Sequence, residues 1–410
     1  AEKRLLPDAN IHSVDSDRAG LIFGFDSLSP TAIKSLDSCR FGYFCQYGLG
    51  IRTPSSKKLN PQNVGNIVHY VMDYCFRKFY DGTEENRLIP EKDIKDAVTE
   101  ALAEYRKNEL MEEQYHTVRF NVLFDNLSEI CFYLLKYMTE ELAQSRFRPT
   151  YFELNLKNPA TDEKSGFVSK PFKISVDVKG KKEEINLYGT VDRVDIAHIT
   201  DEEKAEKQIR AIDYKTGKES FGLEKVYYGL SLKLLIYLFT LAEGNPGYVP
   251  ASATYYPSGA VGEQSDTANP DSDKLRDIWM KNHGEEGIGV KDTNGDKERD
   301  NYKSRTLNGN GKRTDYFKAT TVTADKLERL KEHIITTISD NVSCIKQGDV
   351  TANPLKKGDE EISCKFCKYN VICGAGKEHV TEIENSESAN FVADITDTNE
   401  NKAGDSNGDK

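Results

Sequence analysis

The sequence predicts an α/β protein: a helical first third followed by a sheet-bearing core. Three observations carry this. Apolar side chains recur at helical spacing over 64–80, 91–114 and 118–146. The pattern then changes to period two in YFELNLK (151–157), FKISVDV (172–178), INLYGTVDRVDIAHI (185–199) and QIRAIDYK (208–215). Finally, a helix expected over 222–243 is apolar on more than one face and so packs against that sheet, with ASATYYP (251–257) as a further strand.

In chain order, residues 1–26 form a polar lead expected to be poorly ordered, and 27–150 form the helical region. The helix after Ser27 can be capped by Ser29 or Thr31, and Pro30 suits its first turn. Residues 151–257 form the α/β core, and 258–316, rich in Gly, Asn, Asp and Lys, read as a loosely ordered insertion with a short helical piece around Trp279. GNGKRT (309–314) lacks the first glycine of a phosphate loop, and DTNGDKE (292–298) lacks the spacing of a calcium loop. Residues 317–376 hold an amphipathic helix (324–348) and a cysteine segment, and 377–410 are expected to be an acidic disordered tail.

The 410 residues can bury an ample core. No apolar run approaches the ~20 residues of a spanning helix, and the N-terminus has no secretory h-region, so a cytoplasmic protein without a membrane partner is expected. The chain starts with Ala rather than Met, which points to a fragment or a processed piece. Net charge is −11, which as a single number argues against nucleic acid. Residues 380–410, however, hold eight acids against two bases, so −6 of that total lies in the tail. Local basic segments such as Lys57-Lys58 and Lys303 to Lys312 can still meet phosphates.

Gly189-Thr-Val-Asp192-Arg193 and Asp213-Tyr214-Lys215 each end an expected strand, 21 residues apart from Asp192 to Asp213, enough for two adjacent antiparallel strands. Alternation places Asp213 and Lys215 on one face. Two carboxylates are hard oxygen ligands suited to Mg²⁺ or Mn²⁺, and a lysine beside them can help deprotonate water and stabilise charge developing on phosphorus. Glu153 could add a carboxylate and His69, in the helix led by Gly65, a nitrogen ligand. The plain alternative for each of these residues alone is a solvated strand or helix position.

Cys364, Cys367 and Cys373 form a C-x2-C-x5-C run that can grip a soft metal, with Cys39 or Cys45 as the fourth ligand. Spacing alone leaves zinc and iron–sulfur open. Cys75, Cys131 and Cys344 fall in helical patterns and read as buried thiols.

These residues, in this order, resemble the nuclease domain of the AddB-type components of bacterial helicase–nucleases, in the RecB-like branch of the PD-(D/E)xK nucleases. The resemblance runs from about Ser27 to Gly374. It includes LGIR (49–52), Gly65 with His69, Glu153, GTVDRVD (189–195), DYKTG (213–217), YYGLSLKLLIY (227–237) and the terminal cysteines. It implies a restriction-endonuclease-like core with a mixed central sheet flanked by helices. It further implies a metal site on His69, Asp192, Asp213 and the Tyr214 carbonyl, with Glu153 nearby and Lys215 catalytic. A 4Fe-4S cluster on Cys39, Cys364, Cys367 and Cys373 would staple the two ends of the domain.

The chain departs from the family at Arg40, where a proline is usual, and at Lys233, where the Q-x-x-x-Y helix motif appears as Lys233-Leu-Leu-Ile-Tyr237. It also carries no phosphate loop, so it is not itself an ATP-driven motor. The resemblance implies a Mg²⁺-dependent DNA exonuclease acting on single strands delivered by an AddA-like helicase–nuclease partner, cutting the 5′-ended strand in double-strand-break repair by homologous recombination. The alternatives are a stand-alone relative of the CRISPR-associated exonucleases, or an iron–sulfur DNA-binding module without nuclease activity.

Overall fold

The computed structural model describes residues 13–52, 61–80, 87–109, 118–143, 145–201, 204–217, 220–258, 286–290, 305–307, 313–315, 320–373, 380–383 and 385–396. Lys57, Lys58, Lys303, Lys312 and the helical piece expected around Trp279 lie outside them.

Helix α1 (Ser16–Ile22) is capped by Asp15, whose carboxylate accepts the Arg18 N–H. After the two-residue β1 (Ser27–Leu28), α2 (Pro30–Ser38) starts with Ser29 Oγ accepting the Ala32 N–H at 3.3 Å and Pro30 in its first turn. A four-residue helix, α3 (Arg40–Tyr43), runs on into a π-helical turn at Phe44–Gly48. The three helices expected from periodicity follow as α4 (Pro61–Phe79), α5 (Glu91–Glu109) and α6 (Val118–Leu142).

The chain then enters β2 (Phe147–Asn155), a small hairpin of β3 (Ala160–Thr161) and β4 (Val168–Ser169), and β5 (Phe172–Val178) with β6 (Lys181–Leu187). Next come β7 (Thr190–Asp201) and β8 (Lys204–Lys215), then α7 (Leu223–Tyr227), α8 (Lys233–Gly244) and β9 (Tyr248–Pro257). From the segment expected to be a loose insertion, Glu286–Val290 forms β10 and a hairpin pairs β11 (Arg305–Leu307) with β12 (Arg313–Asp315). Strand β13 (Thr320–Val322) leads into α9 (Ala324–Lys346).

The central sheet has the order β13-β10-β9-β8-β7-β2. It is mixed: β8 pairs with β9 and β10 with β13 in parallel, and the remaining neighbours are antiparallel. One of its faces packs with α4, α5 and α6 through Phe76, Met72, Leu134, Phe152, Ile212, Tyr214 and Tyr256. The other packs with α8, α9 and α2, where Leu234, Ile236, Leu238 and Leu241 of α8 are all within 1 % of complete burial. This accounts for the all-round apolar pattern of that helix.

Besides the ordered α1 in the lead expected to be poorly ordered and β10 in the expected insertion, the structure differs from the sequence reading at three further points. The strand expected over 185–199 is two strands. β6 joins a separate sheet ordered β1-β6-β5, and β7 joins the central one, with the change at Gly189, whose missing side chain leaves room for the Tyr237 ring. The helix expected over 222–243 breaks between α7 and α8, where Gly229 takes a left-handed φ of 77° and a Cβ would collide with the Asp37 carboxylate. In the region expected to be a disordered acidic tail, Ser386–Thr396 forms a helix that buries Ser388 and Ile395, and its Phe391 packs on Tyr227 and His333. Ile395, Phe391 and Val392 on one face outweigh the acidic composition there.

Candidate active site

Asp192 lies on β7 and Asp213 on β8, neighbouring antiparallel strands whose register pairs Arg193 with Ile212 and so sets the two aspartates abreast. The Tyr214 N–H donates to Asp192 Oδ2 at 2.6 Å, which holds that carboxylate across the strand gap. Asp213 is wholly buried, and its two oxygens are contacted by two different ammonium groups: Lys215 at Oδ2 and Lys233, from the start of α8, at Oδ1. Strand alternation therefore brings Asp213 and Lys215 together as the sequence implied.

Glu153 sits on β2 opposite Asp192, between the register pairs Phe152/Arg193 and Leu154/Val191. Its φ of 46° is a left-handed value that a non-glycine residue rarely adopts, and strain of this kind concentrates at functional sites. The adjoining Phe152 carbonyl accepts from Arg77 at 2.6 Å, and Arg77 is itself paired with Asp73 at 2.7 Å. His69, Asp73 and Arg77 recur every four residues along α4, so one helix face both serves the site and braces the strand that carries Glu153. Gly65 lets the start of α4 approach β8, since a Cβ there would lie 3.2 Å from Thr216 Oγ1.

Both ring nitrogens of His69 face oxygen acceptors. Nε2 is 3.1 Å from the Tyr214 carbonyl, and Nδ1 is 3.3 Å from Asp192 Oδ2 and 3.9 Å from Glu153 Oε1. Burial alone would lower the His69 pKa, but hydrogen bonds to Asp192 and then Glu153 outweigh it and raise it to about 10. The imidazolium thus supplies positive charge to a nest of carboxylates.

The donor chemistry fits a hard divalent cation. His69, Glu153 and Asp192 each offer a ligand atom within 4.8 Å of the others, with the Tyr214 carbonyl 3.1 Å from His69 Nε2. Carboxylates, a carbonyl and one imidazole suit Mg²⁺ or Mn²⁺ better than a soft metal.

Tyr237, four residues after Lys233, is buried, and its ring lies against Gly189, where a Cβ would come within 2.6 Å of it. The Lys233 ammonium stands 5.5 Å from the centre of that ring. Burial would lower the Lys233 pKa, but the Asp213 carboxylate more than compensates and holds it above the ordinary lysine value.

A buried ionic network lies behind the site, and the motif reading did not anticipate it. Asp195 accepts from Arg193 at 2.8 and 3.1 Å and from Arg210 at 3.0 and 2.7 Å. Arg210 also lies 3.9 Å from Glu141 of α6, and Arg193 donates to the Tyr214 hydroxyl at 3.2 Å while lying over the Phe76 ring. The sequence signal was present as charged residues at Arg193, Asp195 and Arg210 inside strands otherwise built of buried apolar residues.

The cysteine segment returns to the N-terminal helices. The Ser363 hydroxyl donates to the Ser38 carbonyl at 2.9 Å, across 325 residues, which sets Cys364 beside Cys39. Burial, then the neighbouring Cys39 and Cys367, push the Cys364 thiol up to about 11. Burial, then Cys373, Cys367 and Cys39, push the Cys45 thiol up to about 11 as well. Among the described residues, no three of these sulfurs lie within 4.8 Å of one another. No described helix is long and apolar enough to cross a membrane.

Strands β7 and β8 carrying paired acids and a lysine in a helix-flanked mixed sheet define a nuclease class. The family model of the PD-(D/E)XK nuclease superfamily matches residues 27–374, and the chain belongs to that superfamily. It is also 27% identical over 386 residues to an ATP-dependent helicase/deoxyribonuclease subunit of Thermoanaerobacter sp. (strain X514), covering 90% of this chain and 31% of that protein. The protein of the same name from Clostridioides difficile (strain 630) is 25% identical over 396 residues, covering 88% and 31% respectively. The chain thus spans about a third of the length of the curated relatives it matches.

Proposed function

We propose that the chain is the metal-dependent deoxyribonuclease module of a helicase–nuclease, shortening single strands of DNA delivered by an AddA-like motor partner during double-strand-break repair in the cytoplasm. The observation that carries this is the convergence of His69, Glu153 and Asp192 on one point beside Asp213 and Lys215. The relatives' name, a helicase/deoxyribonuclease subunit, supports DNA as substrate and a second polypeptide as partner.

His69, Glu153, Asp192, Asp213 and the Tyr214 carbonyl would hold the divalent ion. Such an ion supplies Lewis acidity, polarising a phosphodiester and making water a better nucleophile at neutral pH. Asp192 and Asp213 hold their places through the Tyr214 N–H and the two lysines. His69 must release a proton to present a nitrogen lone pair. Lys215, partly exposed and oriented by Asp213, places a cation where negative charge grows on the phosphate oxygens.

The chain incubated with Mg²⁺ or Mn²⁺ is expected to shorten end-labelled single-stranded DNA from the 5′ end, and Lys215→Ala is expected to slow this by about 10²-fold or more. Undiminished digestion by Lys215→Ala, or none by the unaltered chain in either ion, overturns the assignment.

We assign a 4Fe-4S cluster to Cys39, Cys364, Cys367 and Cys373. The Ser38–Ser363 hydrogen bond and the mutual influence of these thiols support it. The cluster would close a loop of 325 residues, where a cross-link constrains the unfolded chain strongly. Iron and labile sulfide in anaerobically purified protein, falling in Cys39→Ser, are expected, and stoichiometric zinc without iron would refute the assignment.

A further inference from the structure

The antiparallel register of β2 and β7 pairs Leu154 with Val191 and Asn155 with Thr190, and beyond the strand ends the Leu156 N–H still donates to the Gly189 carbonyl at 2.8 Å. One residue further, the same register sets Lys157 across from Tyr188. Leu154, Leu156 and Val191 pack into the core on the α8 side, and Gly189 lies against Tyr237 of α8. Alternation therefore turns Asn155, Lys157, Tyr188 and Thr190 to the opposite face, the one on which Glu153 and Asp192 meet His69. Tyr188 precedes Asp192 by four residues, about 13 Å of extended chain, which a few nucleotides of a single strand would span.

The Lys157 ammonium stands 5.0 Å from the centre of the Tyr188 ring, a cation held in place by an aromatic face. Lys157 itself is exposed, and among the described residues no carboxylate pairs with it.

Tyr47 stands beside this pair. Burial, then Tyr188 and Tyr369, raise its hydroxyl above the ordinary tyrosine pKa, which marks the three side chains as neighbours. One face of the Tyr47 ring stacks on the buried Tyr43 with centroids 4.8 Å apart, yet Tyr47 is 40 % exposed. Its inner face is anchored and its outer face meets solvent. The π-helical turn that carries it, a geometry that recurs at functional sites, closes on Gly48, where a Cβ would come within 2.8 Å of Phe44. The Tyr369 hydroxyl ties down the chain just beyond, donating to the Ile51 carbonyl at 3.0 Å. A rigid, exposed aromatic face beside an exposed ammonium is the combination that holds single strands, by base stacking and phosphate contact.

We propose that Tyr47, Tyr188 and Lys157 form a subsite for single-stranded DNA beside the acidic site, in which a base stacks on the outer face of Tyr47 and a backbone phosphate meets the Lys157 ammonium held over Tyr188. This rests on the reading of the chain as a deoxyribonuclease. Tyr188 is the positioning residue of the three.

The test is titration of the full chain into a fluorescein-labelled oligothymidylate of about 12 nucleotides in Ca²⁺, followed by anisotropy over a series of salt concentrations. Lys157→Gln is expected to reduce the slope of log affinity against log salt by about 0.7, the loss of one phosphate contact on a single strand. Tyr47→Leu is expected to weaken binding about tenfold, the loss of one base stack, while Tyr47→Phe, which keeps the ring, binds as the unaltered chain does. Far-UV circular dichroism and melting curves establish that each variant is folded. Lys157 is exposed, so its variant decides the matter alone if Tyr47→Leu does not fold. An unchanged salt slope in Lys157→Gln, or a folded Tyr47→Leu that binds as tightly as the unaltered chain, overturns the inference and leaves the deoxyribonuclease reading standing. No binding of the oligonucleotide by the unaltered chain overturns both.

Discussion

Replacing Asp195 with alanine would leave two guanidinium groups in the protein interior with no carboxylate between them. Asp195 is fully buried, and Arg193 and Arg210 are within 2 % of it. The lost partner accepts four charge-assisted hydrogen bonds at 2.7 to 3.1 Å. Glu141, 3.9 Å from Arg210, can offset only part of the imbalance. Breaking a buried pair from one side costs about 3–5 kcal/mol, chiefly because the remaining charge has lost its water and gained nothing. With a urea slope of about 3 kcal/mol/M, a cost near 4 kcal/mol lowers the unfolding midpoint by about 1.3 M. Urea titration followed by far-UV circular dichroism measures it. The quadruple variant Asp195→Leu, Arg193→Met, Arg210→Met, Glu141→Gln removes the charges of the network at once and is expected to lie within about 1 kcal/mol of the unaltered protein. A midpoint shift below about 0.3 M for Asp195→Ala, or a quadruple variant as unstable as the single one, would refute the reasoning.

Two further changes separate backbone and charge effects near the site and near the staple. Burial holds the Asp37 carboxyl well above the usual carboxylate range, against the lowering influence of its hydrogen bond from Asn341. The folded state therefore binds a proton that the unfolded chain releases above its ordinary pKa. The stability this group contributes is present at acid pH and is lost as pH rises through the raised folded value. Asp37→Asn is expected to raise the melting temperature at pH 8 and to change it little at pH 4, and a lower melting temperature at pH 8 would contradict this. Glu153→Gly relieves a left-handed backbone but loosens the unfolded chain, two effects of about 1 kcal/mol and opposite sign, so the metal-free variant should match the unaltered protein in urea while binding Mn²⁺ more weakly. Destabilisation by more than about 1.5 kcal/mol would show that Glu153 is not strained.

Much of this protein was legible because its signals are local. Helical periodicity found α4, α5 and α6, and strand alternation put Asp213 and Lys215 on one face, since both depend only on the repeat of the backbone. Boundaries were lost where a distant residue decides them. Nothing near 185–199 tells that Tyr237 needs the space at Gly189, and nothing near 222–243 tells that Asp37 presses on Gly229.

By itself, the sequence determined the α/β class, the succession of a helical first third and a sheet-bearing core, and the resemblance that names His69, Glu153, Asp192, Asp213 and Lys215. Only the tertiary structure decided that Lys233 turns its charge inward onto Asp213, that Arg193 and Arg210 share Asp195, and that Ser363 meets Ser38 across 325 residues. The reason is physical. A backbone repeat carries its own period in the chain, whereas the partner of a buried charge is set by which segments the core brings together, and no spacing within one segment encodes that.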